Sequence, residues 1–341
     1  MTSLCSDWSL KEFLFNRYDK SSQITGVSKG KCFSIATSPE NFDQSPDSLK
    51  TYVRLIDEIC DDEEMDNALM AEEDLQQWTV QPFLPFIDEM EPPSPLEQCL
   101  TLQDYLYPET YRFVLYVVKE RKEPCFDYDV PNEPGLIGVG LDNLTVYSKW
   151  KVFQPPQIQV CYGQDDSEVL SKMPRKVIAD GQTYFYKPLE HDDKACAVRE
   201  MEIYERLDRL GADKRLHVPR LHGIVQARKS NRVLGLMLSW INCENKTLEC
   251  TLAQETPSAL RLKWDHQVST TLACLHEAGI VWGDATAGNI LIDTDDNAWV
   301  IDFGGGYTRG WVGEDRMETI EGDQEALSRI KALLRQGFQG V

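Results

Sequence analysis

No Cys-x-x-Cys spacing occurs among the ten cysteines, which argues against both a paired-cysteine zinc site and a disulfide framework. Positive charge is scarce as well: 35 Lys and Arg stand against 56 Asp and Glu, a net charge of −21. That balance disfavours binding to nucleic-acid phosphates, so no nucleic-acid partner is expected. No apolar run reaches membrane-spanning length, and the start Met1-Thr2-Ser3-Leu4-Cys5-Ser6-Asp7 lacks a basic leader region. The expectation is therefore no membrane partner, free thiols, and a cytoplasmic or nuclear location. Internal repeats are lacking too.

The acid that is present is unevenly spread. Residues 1–150 hold 28 acidic and 12 basic side chains, a net −16, and the remainder carries −5. The densest run lies between Asp57 and Asp74 and includes Asp61-Asp62-Glu63-Glu64. A solvated helix face explains it; a basic protein partner is the alternative. With 42% hydrophobic residues, 341 residues can bury two modest cores. Residues 1–45 are polar and weakly patterned and read as a loose segment. Residues 46–150 read as an acidic module of mixed α/β character, with helix-like stretches over 47–90 and a break at Glu91-Pro92-Pro93-Ser94-Pro95. Tyr111 to Val118 is either a helix or a buried strand, and Leu136 to Tyr162 reads as strands broken by Pro155-Pro156. No chemistry is recognisable there, and a regulatory or docking role is expected.

Chemistry concentrates near the C-terminus. The run Val281-Trp282-Gly283-Asp284-Ala285-Thr286-Ala287-Gly288-Asn289 is followed, thirteen residues past Asn289, by Asp302-Phe303-Gly304. Ile290-Leu291-Ile292 and Ala298-Trp299-Val300-Ile301 flank an acidic turn, a strand–turn–strand signal. One loop thus carries a candidate base, Asp284, and a candidate metal ligand, Asn289, and the hairpin returns a second ligand, Asp302, to the same place. Two oxygen ligands beside a phosphate chain suit Mg²⁺, which keeps waters and borrows phosphate oxygens. Upstream, Thr256 as N-cap and Pro257 at the first turn predict a helix in which Leu260, Trp264, Val268, Leu272 and Leu275 share a face and Gly279 is the stop.

Resemblance to a kinase-like site would also imply a strand Lys for the phosphates and a helix Glu to hold it. Val177 to Lys187 reads as a hairpin about Asp180-Gly181, with Lys187 closing the second strand. From Lys194 to Leu210 the pattern is helical, capped by Asp192 or Asp193 and stopped by Gly211. Cys196, Glu200, Ile203, Leu207 and Leu210 form one stripe. Glu200 therefore sits among inward-facing apolar residues, where a carboxylate needs a partner. It is expected to pair with Lys187, with the more solvated Glu202 as fallback. Leu234 to Ile241 is a buried-type strand running into a polar stretch; a plain core strand has the same sequence, and only kinase order would make backbone groups at its end, Ser239, Trp240 and Ile241, receive a nucleobase. The stretch Ser171-Lys172-Met173-Pro174-Arg175-Lys176 has no glycine, so backbone cannot approach phosphates closely, and Lys172, Arg175 or Lys176 would compensate by charge.

Residues of about 155–335 resemble the protein-kinase-like superfamily, most closely the compact kinase-domain proteins of filamentous fungi. Trp282-Gly283-Asp284 and Asp302-Phe303-Gly304-Gly305-Gly306-Tyr307 carry the resemblance, with Gly322-Asp323, Leu327 and Ile330 fitting it. It implies an α+β, two-lobed kinase-like fold over 151–341, with an N-lobe of about 155–241 and a shortened C-lobe of about 242–341. It further implies ATP and Mg²⁺ as cofactors and phosphotransfer to a protein Ser/Thr or small-molecule hydroxyl. Asp284 would be the base, Asn289 and Asp302 the metal ligands, Lys187 the phosphate lysine and Glu200 its partner. Departures are Trp282 for the usual His, Gly283 for the usual Arg, and Thr286 for the usual Lys; RIO-type kinases also carry a hydroxyl residue at that last position. Only 37 residues follow Gly304, too few for a large substrate-binding subdomain. A pseudokinase that binds nucleotide or acts as a scaffold is the alternative.

Overall fold

The computed structural model describes residues 8–60, 65–91, 100–127, 137–141, 149–162, 173–189, 193–211, 215–228, 232–306 and 308–336. The first seven residues, the acid run 61–64, the break at 92–95, Lys172, Asp192 as alternative cap and Tyr307 lie outside the described residues. The chain is mixed α+β and divides into two units, Met1–Gly135 with Pro155–Pro174, and Leu136–Gln154 with Arg175–Val341. The boundary expected at 151 is therefore corrected. Leu136–Gln154 joins the second unit, and 155–174 is an excursion back to the first.

In the first unit, β1 (Ser9–Phe15), β2 (Ser22–Ser28) and β3 (Lys31–Thr37) form an antiparallel run. β4 (Phe42–Asp43), α1 (Pro46–Ile59), α2 (Met65–Val80), α3 (Leu84–Glu89) and α4 (Leu102–Leu106) follow. β5 (Thr110–Val118) then pairs in parallel with β3, and β6 (Arg121–Phe126) closes an antiparallel hairpin with β5. The expectation of a loose segment at 1–45 is thus wrong for the described residues 8–45. Ile24, Phe33 and Ile35 face inward at strand spacing, and polar neighbours hid that period. Gly26 is required because a Cβ there would lie 2.1 Å from the Trp8 ring. Tyr111 to Val118 resolves as strand: Phe113, Leu115 and Val117 alternate into the core. Tyr52, on the buried face of α1, brings its hydroxyl within 2.9 Å of Ser22 Oγ and 2.7 Å of the Lys20 carbonyl. Burial pushes its pKa up to about 12.

The chain then adds β7 (Val139–Gly140) and β8 (Lys151–Phe153) to the second unit, before β9 (Gln159–Val160) returns to the first, where Thr101 bridges Gln159. The second unit continues with β10 (Lys176–Ala179), β11 (Gln182–Pro188), α5 (Lys194–Arg209), β12 (Leu221–Gln226) and β13 (Arg232–Ser239). Its strands lie in the order β8-β12-β13-β11-β10, with β7 beside the start of β13. Asp180 and Gly181 have φ of 51° and 73°, the two left-handed positions of a tight hairpin. Beyond the sheet come α6 (Leu248–Thr251), α7 (Ser258–Glu277), the hairpin β14 (Ile290–Ile292)–β15 (Ala298–Val300) and α8 (Ile320–Gln336). α7 starts one residue later than expected. Pro257 is its cap, and the Thr256 hydroxyl accepts instead from the Ala253 N–H. One apolar core runs from the sheet through α5 (Met201, Leu207) to α7 (Trp264, Leu275) and α8 (Ile330). Among the described residues no helix is long and apolar enough to cross a membrane.

Candidate functional site

Lys187 is the penultimate residue of β11 with its side chain three-quarters buried, so its ammonium needs carboxylates. It has two: Nζ lies 2.8 Å from Glu200 Oε2 and 2.8 Å from Asp302 Oδ1. Asp193 caps α5 by accepting from the Cys196 N–H, which sets the helix phase that turns Glu200 inward. Glu200 is 2% exposed, whereas the fallback Glu202 faces solvent. The stripe is shorter than expected at its end, where Leu210 is exposed. Burial alone would lower the Lys187 pKa, but Glu200 and Asp302 outweigh it and hold the pKa above its ordinary value. Burial raises the Glu200 carboxyl, with Lys187 opposing the rise.

Asp302 stands at φ 64°, a left-handed backbone that is uncommon outside glycine. That turn drives Phe303 into the core, edge-on to Tyr204 at 5.8 Å between centroids, and leaves the Asp302 carboxylate beside Lys187. The hairpin bringing Asp302 back is held by Asp293. Its carboxylate accepts from the N–H groups of Asp295 (2.9 Å) and Asn297 (2.8 Å) and from Trp299 Nε1 (2.8 Å).

Asn289 Nδ2 donates to Asp284 Oδ2 and to the Asp284 carbonyl, both at 2.9 Å. With its donor spent, the Asn289 amide oxygen is left to accept or to ligate. The Asn289 carbonyl accepts from the Ile301 N–H at 3.0 Å, which ties the loop to the residue before Asp302. The other Asp284 oxygen, Oδ1, accepts from the Thr308 hydroxyl at 2.9 Å. Asp323, buried on α8, clamps this loop from beneath. Oδ1 accepts from the Gly283 N–H (2.9 Å), and Oδ2 lies 2.8 Å from both the Trp282 N and His276 Nε2.

A cavity of about 460 Å³ opens beside these groups. Lys187, Glu200 and Asp302 stand on one side, and Ser239, Trp240 and Ile241 on another. The expected nucleobase contact is narrowed, because the Ser239 N–H is already committed to the Arg220 carbonyl at 2.9 Å. Of the candidate cations, Arg175 reaches the cavity, whereas Lys176 lies over the Trp240 ring at 5.1 Å. Among the described residues no group of three or more His, Cys, Asp and Glu could hold a metal ion. Asn289 and Asp302 nonetheless fit Mg²⁺ as a partial set, an amide oxygen and a carboxylate, with substrate phosphates and water completing the shell.

Lys187, Glu200, Asp302, Ser239, Trp240 and Ile241 thus line one cavity, with Lys187 bonded to Glu200 and Asp302, whereas Asp284 and Asn289 are bonded to each other and are not among its lining residues. Sequence reasoning missed Thr308, Arg199 and Glu318, and gave Asp323 no role. The nearest available signal was the buried-helix pattern around Asp323, where a carboxylate among Ala326 and Ile330 asks for partners. No protein-family model matches the chain, and no curated protein is similar to it.

Proposed function

We propose that the second unit is a protein-kinase-like phosphotransferase that uses ATP and Mg²⁺ and passes the terminal phosphoryl group to an alcohol, a protein Ser/Thr or a small-molecule hydroxyl. The observation that carries this reading is at Asp284, where one carboxylate oxygen is fixed by Asn289 and the other accepts a hydroxyl, that of Thr308. A carboxylate so oriented can take the proton of an acceptor hydroxyl while the acceptor oxygen bonds the terminal phosphorus and the bond to ADP breaks. Mg²⁺, held through Asn289 and Asp302, would neutralise the phosphate charge. Lys187, fixed by Glu200, is suited to the phosphates, and the Trp240–Ile241 side of the cavity to the base.

A second reading, nucleotide binding without turnover, is favoured by Thr286. Its buried hydroxyl accepts from the Asn289 N–H at 3.2 Å and brings no charge to the transferring group.

Thermal unfolding with and without Mg²⁺-ATP tests the reading. Ligand at 100 times its Kd stabilises by about 2.7 kcal/mol. The expected result is a shift in the wild type that Asp302→Ala abolishes. No shift at millimolar nucleotide would remove both readings.

A further inference from the structure

We propose that Arg199 and Glu318 form a permanent electrostatic latch that holds α5, and with it Glu200, against the Asp302–Gly304 segment. In this latch a carboxylate of the chain does what a phosphorylated loop residue would otherwise do. The inference rests on the phosphotransferase reading for its consequence, but not for its geometry.

Arg199 is adjacent to Glu200 on α5, so the two side chains leave the helix about 100° apart. Glu200 points to Lys187, and Arg199 points to the chain beyond. Its Nε lies 3.3 Å from the Phe303 carbonyl, its Nη2 3.5 Å from the Val281 carbonyl, and its Nη1 2.9 Å from Glu318 Oε2. One guanidinium on the helix bearing Glu200 therefore touches the loop before Asp284, the turn after Asp302 and the segment before α8. A planar fork can satisfy several acceptors at once; an ammonium cannot reproduce that spread.

Two glycines make the space. Gly283 has φ 92°, and a Cβ there would lie 2.3 Å from Arg199 Nη2. Gly305 has φ 81°, and its Cβ would lie 2.2 Å from Glu318 Oε1 and 3.0 Å from Arg199 Nε. The residue at 283 thus supplies no cation to a loop phosphate. It supplies room for a cation arriving from α5. Glu318 itself stands at φ 54°, a conformation that a non-glycine residue keeps only where its surroundings impose it. A phosphate brings about −1.5 to −2 charge and can be removed. A carboxylate brings one charge and stays, so the latch is always closed and weaker. With side-chain exposures of 24% and 44% it is also open to screening by salt.

The test compares the wild type with Glu318→Gln, Arg199→Lys and the double variant, in the full chain, by amide hydrogen exchange over 199–204 and 303–306. Steady-state phosphotransfer at low and high salt is measured alongside. Partly exposed pairs of this kind are worth up to about 1 kcal/mol, so each single variant should exchange about 2- to 5-fold faster in both segments. Turnover should fall by a similar factor with the KM for nucleotide nearly unchanged, and the double variant should lose no more than the worse single. High salt should bring the wild type toward Glu318→Gln and leave that variant unmoved. Glu318→Gln is a near-isosteric change at a half-exposed site and should fold. Exchange equal to the wild type in Glu318→Gln, or additive losses in the double variant, would overturn the latch. If the wild type binds no Mg²⁺-ATP, the phosphotransferase reading fails, and exchange alone decides the latch.

Discussion

The two units use charge in opposite ways. The first belongs to the acidic end of the chain, yet its ion pairs lie at the surface: Lys20 with Asp57, Lys31 with Glu109, Arg54 with Glu58. Its interior is aromatic, with Phe33, Phe83, Phe113 and Tyr52 buried. The second unit carries little net charge but buries Glu200 and Asp323 almost completely and turns Lys187 inward. Net charge thus locates solvated surface, while buried and paired charge locates chemistry, because desolvated ions persist only where their partners are built in. The contrast is sharpest in two lysines. Lys187 has two carboxylates. Lys122 lies 3.8 Å above the Trp78 ring and donates to the Trp78 carbonyl, with no carboxylate paired to it among the described residues. Burial lowers the Lys122 pKa to about 8, whereas that of Lys187 is raised.

The largest expected effect tests whether the buried network serves chemistry. On the proposed phosphotransferase reading, Asp284→Asn should lower phosphotransfer by roughly 10²–10⁴-fold and leave nucleotide affinity nearly unchanged, since the proposed proton acceptor would be lost while Asn289 and Asp302 are untouched. Single-turnover rates with parallel nucleotide titrations measure both, and equal rates in the two proteins would leave Asp284 outside the mechanism.

Next in size is the burial itself. Lys187→Met strands Glu200 in the core and should cost about 3–5 kcal/mol in urea unfolding. Adding Glu200→Leu should recover most of that stability while nucleotide binding stays lost. A single-variant cost below about 1 kcal/mol would show that Glu200 is not held by Lys187.

The two lysines also predict opposite pH slopes. Between about pH 8, the folded value, and 10.5, its ordinary value, Lys122 binds fewer protons folded than unfolded, so the first unit gains stability as pH rises. The gain should be on the order of 1 kcal/mol after discounting for solvent screening, and Lys122→Met should abolish it. Lys187 runs the other way: its contribution is complete below the ordinary value of 10.5 and is lost as pH climbs through the higher folded pKa. Urea midpoints at pH 7.5 and 9.5 for wild type and Lys122→Met read the Lys122 slope in a window where the Lys187 contribution is still complete; a variant that keeps the wild-type slope refutes the assignment.

The smallest effect belongs to the surface. Arg54→Ala removes an i,i+4 pair whose side chains are about half exposed and should change stability by no more than about 0.5 kcal/mol. A loss of 2 kcal/mol would mean that the first unit depends on its surface charge after all.

Chemistry carried by neighbours in the chain is legible in the sequence alone. The left-handed turn at Asp180-Gly181, the Asp193 cap, the stripe that buries Glu200 and the hairpin between Asn289 and Asp302 depend on dihedral preference and on helix or strand period, which a few consecutive residues specify. Pairing across distance was decided by the tertiary structure. Lys187 meets Asp302 over 115 residues, and Arg199 meets the Phe303 carbonyl over 104. Nothing in the local pattern distinguishes Arg199 from the exposed Arg209 further along the same helix, because an arginine's role is set by which acceptors the fold brings to it. The same limit explains the misread start. Polar residues, Ser22, Ser28 and Ser34 among them, are buried beside the apolar ones in β2 and β3, so no clean alternation shows, and β5, the parallel partner of β3, arrives only at residue 110. The acids and amides of the site were thus written in the chain, while the closure of the network around Lys187, Asp284 and Arg199 was made by packing.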